Sequence, residues 1–166
     1  MAKTANPANP AKVEDRANAT LALHRRARFD YEILQSYDAG IALLGSEVKS
    51  IRSGHASIAE GYCRFQNREL WLFNANIAAY APARENHEPT RPRKLLMHRR
   101  ELIRLETAMN EQPRTTVIPL RLHLSHGIIK VEIGLALGKR SYDKRDAIRT
   151  REANVTIQRA IRHSVR

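Results

Sequence analysis

From Phe29 onward, apolar and polar positions begin to alternate. Tyr31 and Ile33 are set against Asp30, Glu32 and Gln35, the period of two that marks a half-buried strand. Asp38-Ala39-Gly40 reads as a turn into a second strand, Ile41-Ala42-Leu43-Leu44. Gly45 and then Ser46, a good N-cap, open a short helix over residues 46–52 that Gly54 stops. On that helix Val48 and Ile51 face inward, leaving Glu47, Lys49 and Arg52 for solvent or a ligand. Tyr62-Cys63-Arg64-Phe65 and Glu69-Leu70-Trp71-Leu72-Phe73 form a hairpin across Gln66-Asn67-Arg68. Residues 81–93, with Pro82, Pro89 and Pro92, cannot continue a regular element. Leu95, Leu102, Leu105 and Met109 recur at near-helical spacing and predict a longer helix that Pro113 bounds. Two more strands, residues 116–124 and 128–137, turn at Ser125-His126-Gly127, and Pro119 places the first on an edge or at a bulge.

About six short strands, a short helix and a longer one, joined by hairpins, exclude a parallel sheet, which needs crossover helices. The expected fold class is mainly β with flanking helices, in a small closed or partly open antiparallel barrel that hides the strand edges. Barrels of the OB type commonly bind nucleic acid, an association that does not fix function.

Composition narrows this further. The 166 residues fit one domain with room for arms, and 5% aromatic content within 42% hydrophobic makes the core mostly aliphatic. There is no apolar run of the ~18 residues a membrane span requires, and residues 1–18 hold no secretory apolar region. Cys63 is the single cysteine, so it forms neither an internal disulfide nor a thiolate metal cage; a core position and a cytoplasmic chain are expected.

A net charge of +12 points to a polyanionic partner. Its placement says more. Residues 1–28 carry six Lys/Arg against two acids, residues 29–137 fourteen against twelve, and residues 138–166 nine against three. The expected organisation is a flexible N-terminal arm over 1–22, an OB-like barrel over 23–137 and a basic C-terminal tail over 138–166. After Gly138 there is neither Gly nor Pro, and Ile157, Ile161 and Val165 fall at helical spacing. So sparse a stripe cannot offset the ordering entropy alone. The tail is therefore expected to be disordered when free and helical once a polyanion neutralises it.

No catalytic constellation emerges. The seven histidines lack HExxH spacing, His123 and His126 bracket a turn as a surface pair, and there is no Gly-rich phosphate loop or nucleophile elbow. Asp30 and Glu32 could share a strand face and hold Mg²⁺ for a nuclease, but solvent-facing alternation explains them more simply. The expectation is a binding protein rather than an enzyme, with no cofactor and no metal.

Several segments, in order, resemble one family. They are Arg26-Ala27-Arg28, Tyr31-Glu32-Ile33, Ala39-Gly40, Gly45 with Glu47-Val48-Lys49-Ser50, Arg91-Pro92-Arg93-Lys94-Leu95-Leu96, Arg99-Arg100-Glu101-Leu102, and Gly138-Lys139-Arg140 with Asp143-Lys144-Arg145. From about Leu23 to Arg151 the chain resembles the small protein B, or SsrA-binding protein, family. That resemblance implies an OB-like six-stranded barrel with flanking helices. It also implies an adaptor of trans-translation in bacteria, which binds the tRNA-like domain of tmRNA and delivers it to stalled ribosomes. Implied partners are tmRNA, the stalled ribosome with its small-subunit ribosomal RNA, and elongation factor Tu in the delivery complex. The protein itself would act as a monomer away from membranes.

Carried over by position, the tmRNA-facing residues would be His24, Tyr31, Asp38, Glu47, Lys49, Lys94, Leu96 and Lys130. Gly138, Lys139, Arg140, Tyr142, Asp143, Lys144 and Arg145 would enter the empty decoding centre and mRNA channel. His24 stands where the family commonly has Asn, Asp38 where it often has Glu, and Tyr142 where many members have His. Tyr142 keeps a stacking ring but loses a titratable one. A general OB-type ribosomal or single-strand RNA-binding module is the alternative.

Overall fold

The computed structural model describes residues 19–139. Strand β1 (Thr20–Leu23) leads into a one-turn helix α1 (Ala27–Asp30), then a long strand β2 (Tyr31–Ile41) and helix α2 (Gly45–Arg52). Strands β3 (Ala56–Ser57), β4 (Tyr62–Gln66), β5 (Glu69–Phe73), β6 (Asn76–Ile77) and β7 (Arg93–Leu96) follow. Helix α3 (Arg99–Glu111) and the hairpin β8 (Thr115–Ser125) and β9 (Ile128–Gly138) complete the described residues.

The main sheet runs β1-β8-β4-β5-β7-β2-β9, every pair antiparallel, and β9 also pairs with β8. That last pairing closes six strands into a barrel, with β1 added on the outside of β8. Closure leaves those six strands without an open edge, and in the main sheet only the four-residue β1 is paired on one side alone. Strands β3 and β6 form a separate two-stranded ribbon.

The barrel interior is aliphatic, as the low aromatic content requires. Ile41, Leu70, Leu72, Leu95, Val117, Leu122, Val131 and Ile133 fill it, with Ile51 of α2 and Leu105 of α3 joining from outside the sheet. Cys63 is buried among them, and burial pushes its thiol well above the usual range. Alternation along the long strands follows the same logic. Tyr37, Ala39 and Ile41 point in; Asp38 points out.

Both two-residue hairpin turns have the positive φ angles of the turn that matches strand twist. In the β8–β9 turn His126 (φ 50) precedes Gly127 (φ 81), and glycine takes the more demanding angle. In the β4–β5 turn Asn67 (φ 53) is followed by Arg68 (φ 62), which has no such freedom. The bulge expected at Pro119 is present: the β8–β9 register shifts between Pro119 and Arg121.

Several expectations about the elements need correction. Residues 42–44, expected in a strand, follow the end of β2 at Ile41. Asp38-Ala39-Gly40 is not a turn but part of β2, paired residue by residue with β9. Residues 93–96 form strand β7 between β2 and β5, so Leu95 belongs to the sheet and α3 begins at Arg99. Helix α2 is capped at Leu44 rather than Ser46. The arm boundary at residue 22 falls inside β1, which pairs with β8. Expected flexibility in the rest of that arm, and the behaviour of the tail beyond Lys139, lie outside the described residues.

Candidate nucleic-acid interface

One row of side chains crosses the outside of the barrel through five strands. Leu96 of β7 lies opposite Gly40 of β2, Gly40 opposite Lys130 of β9, Lys130 opposite His123 of β8, and His123 opposite Thr20 of β1. Gly40 lets this row be flat: a methyl group there would sit 3.3 Å from Leu96 Cβ. In the next row Asp38 lies opposite Glu132, and Glu132 opposite Arg121. Lys94, two residues before Leu96 and so on the same face, lies opposite Trp71. The barrel therefore brings Asp38, Lys94, Leu96 and Lys130 together.

The charges on this face are paired but loosely held. The Asp38 carboxylate takes His123 Nε2 at 3.2 Å and Lys130 Nζ at 3.4 Å. Lys94 Nζ meets Glu69 Oε1 at 2.5 Å, and Arg121 meets Glu132 at 2.5 Å. These side chains are largely 24–45% exposed, and such pairs contribute about 0–1 kcal/mol. A phosphate can displace the carboxylate from either lysine at small cost. Beside the row, Lys94, Leu96, Arg68, Arg99 and Ile103 line a cleft of about 500 Å³ with apolar walls and cations at hand. Leu96 and Ile103 are each 53% exposed.

His123 was expected at the surface beside the turn. It is instead buried in β8, with Nε2 on Asp38 and Nδ1 buried without a partner among the described residues. The signal that could have found it is register: on an outward position of β8 it must face Lys130 across the hairpin.

His24 and Tyr31 sit elsewhere. Tyr31 starts β2 and Gly40 nearly ends it, so the two are roughly 30 Å apart at the ~3.3 Å rise of a strand. His24 is pinned to the β8 bulge, its N–H on the Leu120 carbonyl at 2.9 Å and Nδ1 3.1 Å from the Pro119 carbonyl. Tyr31 packs partly against the small cluster Ala27, Ile118, Leu120 and Ala136. Both residues line one cleft, with Tyr62.

Glu47 departs from the sequence expectation. It does not face solvent; it is fully buried. Its carboxylate accepts from Leu44 N–H at 2.7 Å, from Arg91 Nε at 2.8 Å and from Arg93 Nε at 2.9 Å. Burial alone would raise its pKa, but the Arg91 hydrogen bonds, the Leu44 N–H and the Arg93 charge outweigh burial and hold it below the usual carboxylate range. Arg93 spends its remaining donors on the carbonyls of Ala75, Arg91 and Pro89. Glu47 thus ties α2 to the 75–93 segment and offers a ligand nothing. Lys49, two residues on, is exposed, with Nζ 5.8 Å from the Tyr80 ring centroid.

Of the positions expected to act on the ribosome, Gly138 and Lys139 are described. Gly138 ends β9; Lys139 donates its N–H to the Asp30 carbonyl at 3.0 Å and its Nζ to the Arg28 carbonyl at 2.9 Å. Arg140, Tyr142, Asp143, Lys144 and Arg145 lie outside the described residues. Asp30 belongs to α1, 3.6 Å from Arg26, rather than sharing a strand face with Glu32. Among the described residues no group of three or more His, Cys, Asp or Glu could hold a metal ion, and no helix is long and apolar enough to cross a membrane.

The sequence pattern of the SmpB protein family matches residues 21–163. An SsrA-binding protein from Synechococcus sp. (strain JA-3-3Ab) is 50% identical over 145 residues, covering 86% of this chain and 94% of its own length. One from Roseiflexus sp. (strain RS-1) is 52% identical over 145 residues, covering 86% and 91%. One from Maricaulis maris (strain MCS10) is 51% identical over 138 residues, covering 82% and 88%. Among solved structures, a chain from "tmRNA-SmpB: a journey to the center of the bacterial ribosome" superimposes with a TM-score of 0.63 at 45% identity. The superposition covers 79% of this chain and 96% of that one.

Proposed function

This chain belongs to the SmpB protein family, and from that membership we propose that it is an RNA-binding adaptor of trans-translation. It binds the tRNA-like domain of tmRNA, carries it to stalled ribosomes and enables peptide tagging and ribosome rescue. The observation that carries the reading is the family match over nearly the whole barrel together with a fold shared with a tmRNA-SmpB structure.

The outer face explains how such an adaptor would hold RNA. Lys94 and Lys130 meet phosphates after releasing Glu69 and Asp38. Asp38 then accepts from a base or ribose hydroxyl, and Leu96 gives an apolar contact beside the flat Gly40. Lys49 adds a further cation, while Glu47 keeps α2 in place. In this reading the protein is not an enzyme. It works in the cytoplasm as a monomer, with elongation factor Tu in the delivery complex.

The basic segment from Gly138 enters the empty decoding centre and mRNA channel, with Lys139, Arg140, Tyr142, Asp143, Lys144 and Arg145 acting on small-subunit ribosomal RNA. Truncation after Leu137 tests the division of labour. The truncated chain should bind tmRNA as the full chain does and lose peptide tagging on stalled ribosomes. Tagging that survives truncation would remove the tail from the mechanism.

A further inference from the structure

At the Tyr31 end of β2 a cleft of about 520 Å³ opens between the β1–α1 link, the start of β4 and β8. Its chemistry is mixed. Tyr31 and Tyr62 bring rings, Arg25 and Arg26 bring exposed cations, and Asp30 and Glu60 bring carboxylates. A near balance of charge does not suit a bare phosphate or a polyphosphate. It suits a ligand with a flat uncharged body, hydrogen-bond donors and one anionic group.

Two features of this cleft are pre-set. The Tyr62 ring stacks on Phe73 at 5.6 Å and 15°, which fixes its plane, yet the residue remains 46% exposed. A ring held by a second ring is a stacking platform that loses little freedom on binding. The imidazole of His24 is also oriented. The Pro119 carbonyl can only accept, so the ring meets it through an Nδ1–H and keeps Nε2 as its second hydrogen-bonding atom. Nε2 has no partner among the described residues.

We propose that this cleft takes one unpaired ribonucleotide of the bound RNA. The base stacks on Tyr62, an amino group or ribose 2′-hydroxyl donates to His24 Nε2, and the phosphate lies at Arg25 and Arg26. Recognition of splayed-out bases by aromatic faces is the common way proteins read RNA outside its helices. Tyr62 is thereby a stacking residue outside the set that resemblance supplied. The inference rests on the RNA-binding reading above and adds a contact roughly 30 Å along β2 from the Gly40 row, at the strand rise of ~3.3 Å per residue.

The test uses the full chain as wild type, Tyr62→Ala, Tyr62→Phe and Tyr62→Leu, with melting curves for each. The probe is a pentaribonucleotide carrying a central 2-aminopurine, whose fluorescence falls when an aromatic ring stacks on it. Separate arms measure affinity for tmRNA and for small ribosomal subunits, to identify which RNA supplies the nucleotide. Tyr62→Phe should keep quenching and affinity. Tyr62→Leu, which keeps bulk against Phe73, and Tyr62→Ala should lose the quenching and weaken at least one arm by about 5- to 150-fold, the equivalent of one stacked base. Wild-type affinity in both arms for folded Tyr62→Leu, or no quenching by the wild type, would overturn the cleft inference while leaving tmRNA binding standing. A wild-type chain that binds no tmRNA would instead sink the RNA-binding reading itself.

Discussion

A carboxylate without water must be met by cations, and Glu47 meets two guanidiniums and a backbone N–H. Removing one charge of such a cluster leaves the others buried and unmatched, which costs about 3–5 kcal/mol. Glu47→Gln should therefore lower stability by about that much in urea unfolding at neutral pH. The pH dependence follows from the lowered pKa. A glutamate held below its unfolded value near 4.3 binds fewer protons folded than unfolded as acid is added. Its stabilisation is fully present above that value and is lost as pH falls through the depressed folded pKa. The wild type should show this acid limb, and Glu47→Gln should flatten it. If the variant matched the wild type at pH 7, the buried cluster would not be structural. None of this was legible locally. Helical spacing put Glu47 on the outer face of α2, and its partners lie 44 and 46 residues away. His123 was misread for the same reason, since Asp38 on β2 is its partner.

Elements with their own turn chemistry or strict alternation were legible: the β4–β5 and β8–β9 hairpins, the short helix, and the bulge at Pro119. Two others were not. Asp-Ala-Gly carries the residues of a turn, but in β2 the glycine serves close packing against Leu96, which only the neighbouring strand reveals. Leu95 shares a helical spacing with Leu102 and Leu105, and a four-residue strand is too short for periodicity to outvote it. The β4–β5 turn retains a local misfit that makes a prediction. Arg68 adopts φ 62 where the two-residue turn favours Asn-Gly. Arg68→Gly should raise stability by about 0.5 kcal/mol, the relief of a left-handed residue exceeding glycine's entropy cost. A lower urea midpoint would mean that the Arg68 side chain contributes more than its backbone costs.

At the scale of the whole molecule, closure of six strands sets which residues can act together. It gathers Asp38, Lys94, Leu96 and Lys130 on one outer face, sends His24 and Tyr31 to the far end of β2, and hides Glu47. The sequence pattern foresaw the barrel, and the resemblance supplied candidate residues for its surface. Neither foresaw the partition, because it depends on register between strands distant in sequence. Charge follows a similar division: residues 29–137 carry fourteen Lys/Arg against twelve acids, and the surplus lies before and after them. Selectivity for one RNA must then come from shape and a few contacts on a nearly neutral barrel, with phosphate contacts from its exposed lysines adding a salt-sensitive term. The most direct test is equilibrium binding of the full chain to tmRNA, titrated with salt and against a large excess of bulk tRNA. Binding to tmRNA should weaken as salt is raised but survive the tRNA competitor. Equal displacement by tRNA would contradict selective binding and leave a general RNA-binding barrel.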